Sequence, residues 1–170
     1  MAAAETALTL AQVLPEDWRQ KVAISPRLQV WRGPAALSDP GPSADIAERE
    51  RWLRAELARP SVSQVSAPWL DGDMPLSSHV DFLVDQMADV ADAFQLLHRR
   101  GDNAWARLDL GMSVGTVPMR QRWLLWLENG RVHTLVWSSS VAGWDAWRQL
   151  RRDLPWLQLG AIASEALVDP

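Results

Sequence analysis

Apolar residues recur at helical spacing in some stretches of the chain and alternate with polar ones in others, and the change of period organises the sequence. The clearest helical stripe is Val80, Leu83, Val84, Met87, Val90, Ala91, Phe94 and Leu97. Its i, i+3, i+4, i+7 spacing predicts an amphipathic helix over residues 78–99 with one face on a core. Ser77 or Ser78 can supply the cap oxygen, Asp81 falls in the positive first turn, and His98, Arg99 and Arg100 fall in the negative last turn before Gly101. A shorter stripe of Ile46, Trp52, Leu53 and Leu57 predicts a helix over 44–58, capped by Ser43 and stopped by Pro60. After Gly101 the period drops to two. Residues 104–110 read as a strand with Ala106, Leu108 and Leu110 on one face and Trp105, Arg107 and Asp109 on the other. Residues 120–137 read as a β-hairpin, because two β-rich runs flank Asn129-Gly130, a pair that accepts the positive φ of a tight turn. A helix over 144–154, stopped by Pro155, and a strand over 157–163 follow. A short helix or turn over 8–19 and an edge strand over 27–31 are expected nearer the start.

This order of elements predicts an α+β fold: a small, mostly antiparallel sheet with amphipathic helices packed on one face. Proline refines the picture, since 8 of the 11 prolines fall at or before Pro75. Residues 1–75 are therefore expected to be a Pro-rich, partly helical segment, and residues 76–170 a compact domain. With 170 residues and 48% hydrophobic side chains the chain is long enough for one core. The absence of cysteine excludes disulfide scaffolds, thiol catalysis and cysteine-based zinc sites. No run approaches the roughly 18 apolar residues of a membrane span, and the first residues lack the basic patch of a secretory signal. A cytoplasmic protein without an integral membrane segment is expected.

Candidate chemistry is sparse. Gly111-Met-Ser113-Val-Gly115 matches the G-x-S-x-G nucleophile elbow, with His133 as the histidine that follows. The residues after Ser113 are β-branched, Gly and Pro, which favour a turn between strands over the helix an elbow requires. His79, His98 and His133 lack the i, i+4 pairing of a metal-binding helix, so no metal is expected. Asp81, Asp85, Asp89 and Asp92 form a carboxylate ridge that reads as the solvated side of the long helix or a surface for a basic partner. No phosphate-binding glycine loop occurs, and no cofactor is expected. Net charge is −4 and Lys21 is the single lysine, which speaks against nucleic acid.

Tryptophan and arginine remain, with 11 of the former and 7 of those from Trp105 onward. Arg148, Arg151 and Arg152 lie on the helix after Gly143, and Arg120, Arg122 and Arg131 near the hairpin. Trp123 and Trp126 sit on opposite faces of one strand, so at least one ring should be partly uncovered, unless the Pro-rich first half covers it. Arginine beside tryptophan suits protein interfaces. Trp123, Trp126, Arg131, Trp137, Arg148, Arg151 and Arg152 are the candidate partner-binding residues.

Between residues 82 and 164 the chain runs through a helix ending near Gly101, an Ala-Arg-Leu-Asp-Leu strand, a Leu-Leu-Trp-Leu strand and the Glu128-Asn-Gly130 turn. A second hairpin strand, a helix with Leu150-Arg151 and Leu154, and Leu157-Gln-Leu-Gly160 complete the succession. This resembles the C-terminal domain of flagellar hook-length control proteins and of type III secretion substrate-specificity switch proteins. The resemblance implies a compact α+β domain, preceded by a loosely ordered segment, that contacts an export gate. The Pro-x-x-Leu-Gly signature of that family is absent, and no functional residue is carried across.

The expected function is a non-enzymatic protein-protein interaction module of a bacterial cytosol, in one form a regulator or specificity switch of type III export. The alternatives are a chaperone or immunity-type adaptor binding one partner protein, and a small serine hydrolase using Ser113.

Overall fold

A computed structural model describes residues 12, 14–20, 28–69 and 72–152. The expected terminal strand over 157–163 and residues 8–11 and 13 of the element expected over 8–19 lie outside the described residues. Among the described residues the fold is α+β, built on a seven-stranded antiparallel sheet of order β1-β2-β3-β7-β6-β5-β4. The strands are β1 (Arg19–Gln20), β2 (Leu28–Arg32), β3 (Ser61–Pro68), β4 (Asp92–Gly101), β5 (Trp105–Val114), β6 (Val117–Glu128) and β7 (Arg131–Ser140). Helix α1 (Ile46–Ala58) and helix α2 (Leu76–Val90) connect them.

The hairpin forms as its turn chemistry demands: Asn129 and Gly130 take φ of 52° and 69°, and β6 and β7 pair from Glu128↔Arg131 to Met119↔Ser140. The division expected at residues 75 and 76 does not break the sheet, because β3 pairs with β7 along its whole length. The segment expected as an edge strand near 27–31 is β2, which has β1 on one side and β3 on the other.

The long helix expected over 78–99 ends at Val90. Ala91 turns the chain into extended backbone (φ −95°, ψ 135°), and Phe94, Leu97, His98 and Arg99 belong to β4. Register shifts at Asp92/Gln95 and Leu96/His98 interrupt the alternation of β4. Two bulges thus leave apolar residues three apart, imitating a helix. Strand wins because β5 gains a partner along its length, a tertiary gain that outweighs local propensity. Neither serine caps α2; Pro75 holds the N-cap position, with no side-chain bond. Asp81 instead pairs with Arg99, clamping α2 to β4. In α1 the cap is Asp45, whose Oδ1 accepts from the Glu48 amide at 2.8 Å, in place of Ser43.

Antiparallel register decides which side chains share a face. The first face carries Ala106, Leu108 and Leu110 of β5 with Leu125 and Val132, and α2 covers it through Leu76 and Val80. The second carries Trp105, Leu124, Trp126, Leu135, Trp137 and Val62, covered by Leu14 and Trp18 from one side and Trp147 and Leu150 from the other. Both helices lie on the first face, with α1 over Met119 and Ser138.

At the end of β4, Gly101 has φ +152°, and a Cβ there would meet Trp105 O at 2.4 Å and Ala106 Cα at 2.8 Å. Both obstacles are backbone. Gly101→Ala should therefore cost about 1–3 kcal/mol, read as a lower denaturant midpoint at unchanged slope. A midpoint equal to the wild type would show that the strand end relaxes freely.

Candidate functional site

Two regions carry side-chain chemistry, one on each face of the sheet. On the second face, Asp109 is bridged by two arginines. Arg107 donates from Nε and Nη2 to Asp109 Oδ2 at 3.1 and 2.9 Å, and Arg122 Nε donates to Oδ1 at 2.7 Å. All three side chains are buried. Strand alternation points them at the same face as the tryptophans, and Trp144 closes over them. Arg151 stacks on the Trp144 ring with its guanidinium carbon 4.1 Å from the centroid, and Arg122 lies 5.9 Å from it. Trp18 packs edge-to-face on both Trp137 of β7 (5.6 Å) and Trp147 (5.2 Å).

The candidate binding residues therefore do not form one surface. Trp126, Trp137 and Arg151 are interior, at 4, 2 and 3% exposure, and cannot meet a partner without unfolding the second face. Arg131 is half-buried and donates to Ser66 Oγ at 2.8 Å and Ser66 O at 3.2 Å, joining β7 to β3. Arg148 and Arg152 are exposed near the end of the described chain. Trp123 is the indole of that strand left partly uncovered, on the first face, where its Nε1 donates to Gln121 Oε1 at 2.9 Å. The rings on the second face do lie under the Pro-rich first half, as Trp18 and Leu14 show.

On the first face, cover is incomplete. One row across the sheet runs Leu108, Trp123, Val136, Ser63, Val30. Leu108 is fully buried beneath α2, whereas the other four are half-buried. Helix α1 adds apolar surface here without burying any of its own residues. It is held by polar contacts: Arg32 donates to Glu56 O at 2.7 Å and pairs with its carboxylate at 3.1 Å, and Arg59 forks onto Gly33 O at 2.6 and 3.0 Å. Leu53 and Leu57 stay 47 and 42% exposed beside a groove of about 400 Å³ that Val30, Ser61, Met119 and Ser138 also line. Sequence reasoning missed α1 and β3 as parts of a site. The signal was present in Ile46, Leu53 and Leu57, an apolar stripe on an otherwise charged helix.

The nucleophile-elbow geometry is absent. Ser113 lies in β5, in register with Pro118, and the Gly115-Thr116 turn leads into β6 where an elbow needs a helix. His133 faces Trp126, eight positions farther along β6, roughly 26 Å at the strand rise. His133 stacks on Trp126 (5.2 Å between centroids), and His79 meets Trp69 edge-on at 5.4 Å. Among the described residues no three His, Asp or Glu side chains lie close enough to hold a metal ion, and no helix is long and apolar enough to cross a membrane. Asp81, Asp85 and Asp89 are exposed on α2, and Asp92 on β4.

The fold recurs in PA94, a Pseudomonas aeruginosa protein of unknown function. The match has a TM-score of 0.53 at 13% identity and covers 97% of this chain and 96% of that one. Weaker likenesses are the Saccharomyces cerevisiae Ran-binding protein Mog1p (TM-score 0.49, 9% identity, 91% of this chain and 82% of that one) and the PsbP protein of the cyanobacterium Synechocystis (0.48, 15%, 81% and 78%). At these identities the likeness is one of fold. No protein-family model and no curated protein matches the sequence. In the succession behind the resemblance to hook-length control proteins, the residues leading to Gly101 are strand where a helix was expected, and Leu157 to Gly160 lie outside the described residues.

Proposed function

We propose that this chain is a non-enzymatic protein-binding module that holds an apolar segment of one partner protein against the half-covered first face of its sheet, between α1 and the uncovered ends of β3 and β7. The observation that carries this reading is α1 itself. Its attachment is polar, it buries no residue, and it exposes Leu53 and Leu57 in a groove shared with Val30 and Met119, so its apolar side contributes little to folding. Arg32 in this groove is already paired with Glu56, which leaves a surface suited to uncharged side chains. An apolar segment that must be kept from water fits the adaptor or chaperone form of the reading best. The hydrolase alternative loses its support with the elbow geometry. A role in type III export has the resemblance over residues 82–164 as its support, and unchanged export in a deletion strain would overturn it.

The test is site-specific photocrosslinking in the native cell. A photoreactive side chain at Leu53 or Leu57 should trap one and the same protein, and Leu57→Glu should reduce that adduct at least tenfold while the far-ultraviolet spectrum stays unchanged. The same probe at Asn103 should trap nothing. Equal adducts at all three positions, or none at 53 and 57, would remove the first face as the binding surface.

A further inference from the structure

A separate cleft of about 210 Å³ opens on the opposite face, beside the irregular stretch of β4. His98, Arg120, Arg122, Asp109, Trp144 and Leu97 line it. The register shift between Leu96 and His98 lets β4 swell away from β5 at this point, and bulges of this kind commonly re-aim side chains next to binding sites. The basic groups here are of two kinds. Arg122 is anchored by Asp109, whose two oxygens accept from Arg122 and Arg107, so the carboxylate is committed to the protein. Arg120 is half-buried and, among the described residues, forms no hydrogen bond or ion pair. His98 Nε2 is shielded from solvent and likewise has no hydrogen-bond partner. Holding the His98 ring nitrogen out of water with nothing to bond costs free energy that an incoming acceptor would recover, and the Arg120 fork has no protein acceptor among the described residues to compete for it.

We propose that this cleft is a binding site for a small organic carboxylate. The oxygens would accept from the fork of Arg120 and from His98, and the apolar body would lie against Leu97, Leu110 and the Trp144 ring. Arginine suits the task because its planar fork matches a carboxylate in two parallel bonds. Two lining guanidiniums against one lining carboxylate leave the mouth net positive, and the volume admits a ligand the size of a single ring. The site lies apart from the α1 groove and does not depend on the function proposed for it.

Benzoate, benzamide and inorganic phosphate titrated into ¹⁵N-labelled full-length protein test the assignment. Benzoate should shift the Trp144 indole N–H and the amides of His98 and Arg120 with saturation, and benzamide, its uncharged analogue, should not. Arg120→Ala should weaken benzoate at least tenfold with an otherwise superimposable spectrum, and Arg120→Lys should restore part of the affinity. His98→Phe gives a second arm and should also weaken binding. The assignment fails if benzoate leaves these resonances unmoved, if Arg120→Ala binds as well as the wild type, if benzamide binds equally, or if phosphate binds in place of benzoate.

Discussion

Asp109→Asn should destabilise the protein by about 3–5 kcal/mol, seen as a lower midpoint in urea or guanidinium unfolding. The reason is asymmetric burial. Arg107 is fully buried and Arg122 is 5% exposed, and the Asp109 carboxylate accepts from both. Asparagine keeps the shape and one oxygen but not the charge, so two guanidiniums remain in a low-dielectric interior with their shared counter-ion gone. Arg99→Ala is the matched control. It breaks a pair of the same chemistry, Arg99 with Asp81, but at 33 and 65% exposure, where solvent screening holds the loss to about 1 kcal/mol or less. If Asp109→Asn costs no more than Arg99→Ala, the buried cluster is not held by its carboxylate.

Trp137→Ala should cost a similar amount, about 3–5 kcal/mol, by a different mechanism. Trp137 is 2% exposed, and Trp18 packs on it edge-on and carries Trp147 in turn. Removing the ring opens a cavity beneath both covering segments at once. Limited proteolysis should then cut within residues 14–18 and 144–152 far sooner than in the wild type, whereas cleavage between β5 and β6 should change little. Trp137→Phe separates packing from polarity. The Trp137 indole N–H makes no hydrogen bond, so phenylalanine should recover most of the stability. A phenylalanine variant as unstable as alanine would contradict this packing account.

What could be seen in the sequence follows from how local each cause is. Asn129-Gly130 fixes its hairpin with two residues, and the alternation from Ala104 to Leu110 needs no knowledge of distant chain. Helix α1 was visible for the same reason, within one or two residues at its cap. Strand β4 was hidden because two bulges erase the period that identifies a strand. Strand β3 was hidden because Val62 faces the tryptophans and Val65 the opposite side, so a serine-rich run with a valine for each face shows no stripe. The site was less legible still. Alternation assigns Arg107, Asp109, Trp126 and Trp137 to one face, but whether that face is wet depends on residues 14–18 and 144–152, far away in sequence. Residues suited to a surface were thus predicted at one, and found inside.

The pairing of β3 with β7 has a consequence for synthesis. Residues 61–68 bond to residues 131–138, and β2 and β1 hang on β3 in turn. A nascent chain therefore carries one edge of β3 unpaired until β7 has left the ribosome, at roughly 5–20 residues per second a wait of several seconds. During that interval Trp18 and Trp31 have no face to cover, and the closing step joins β3 to β7 late and over a long loop. The Pro-rich composition of the early segment suits that wait, since it resists forming strands with the wrong neighbour before the right one exists.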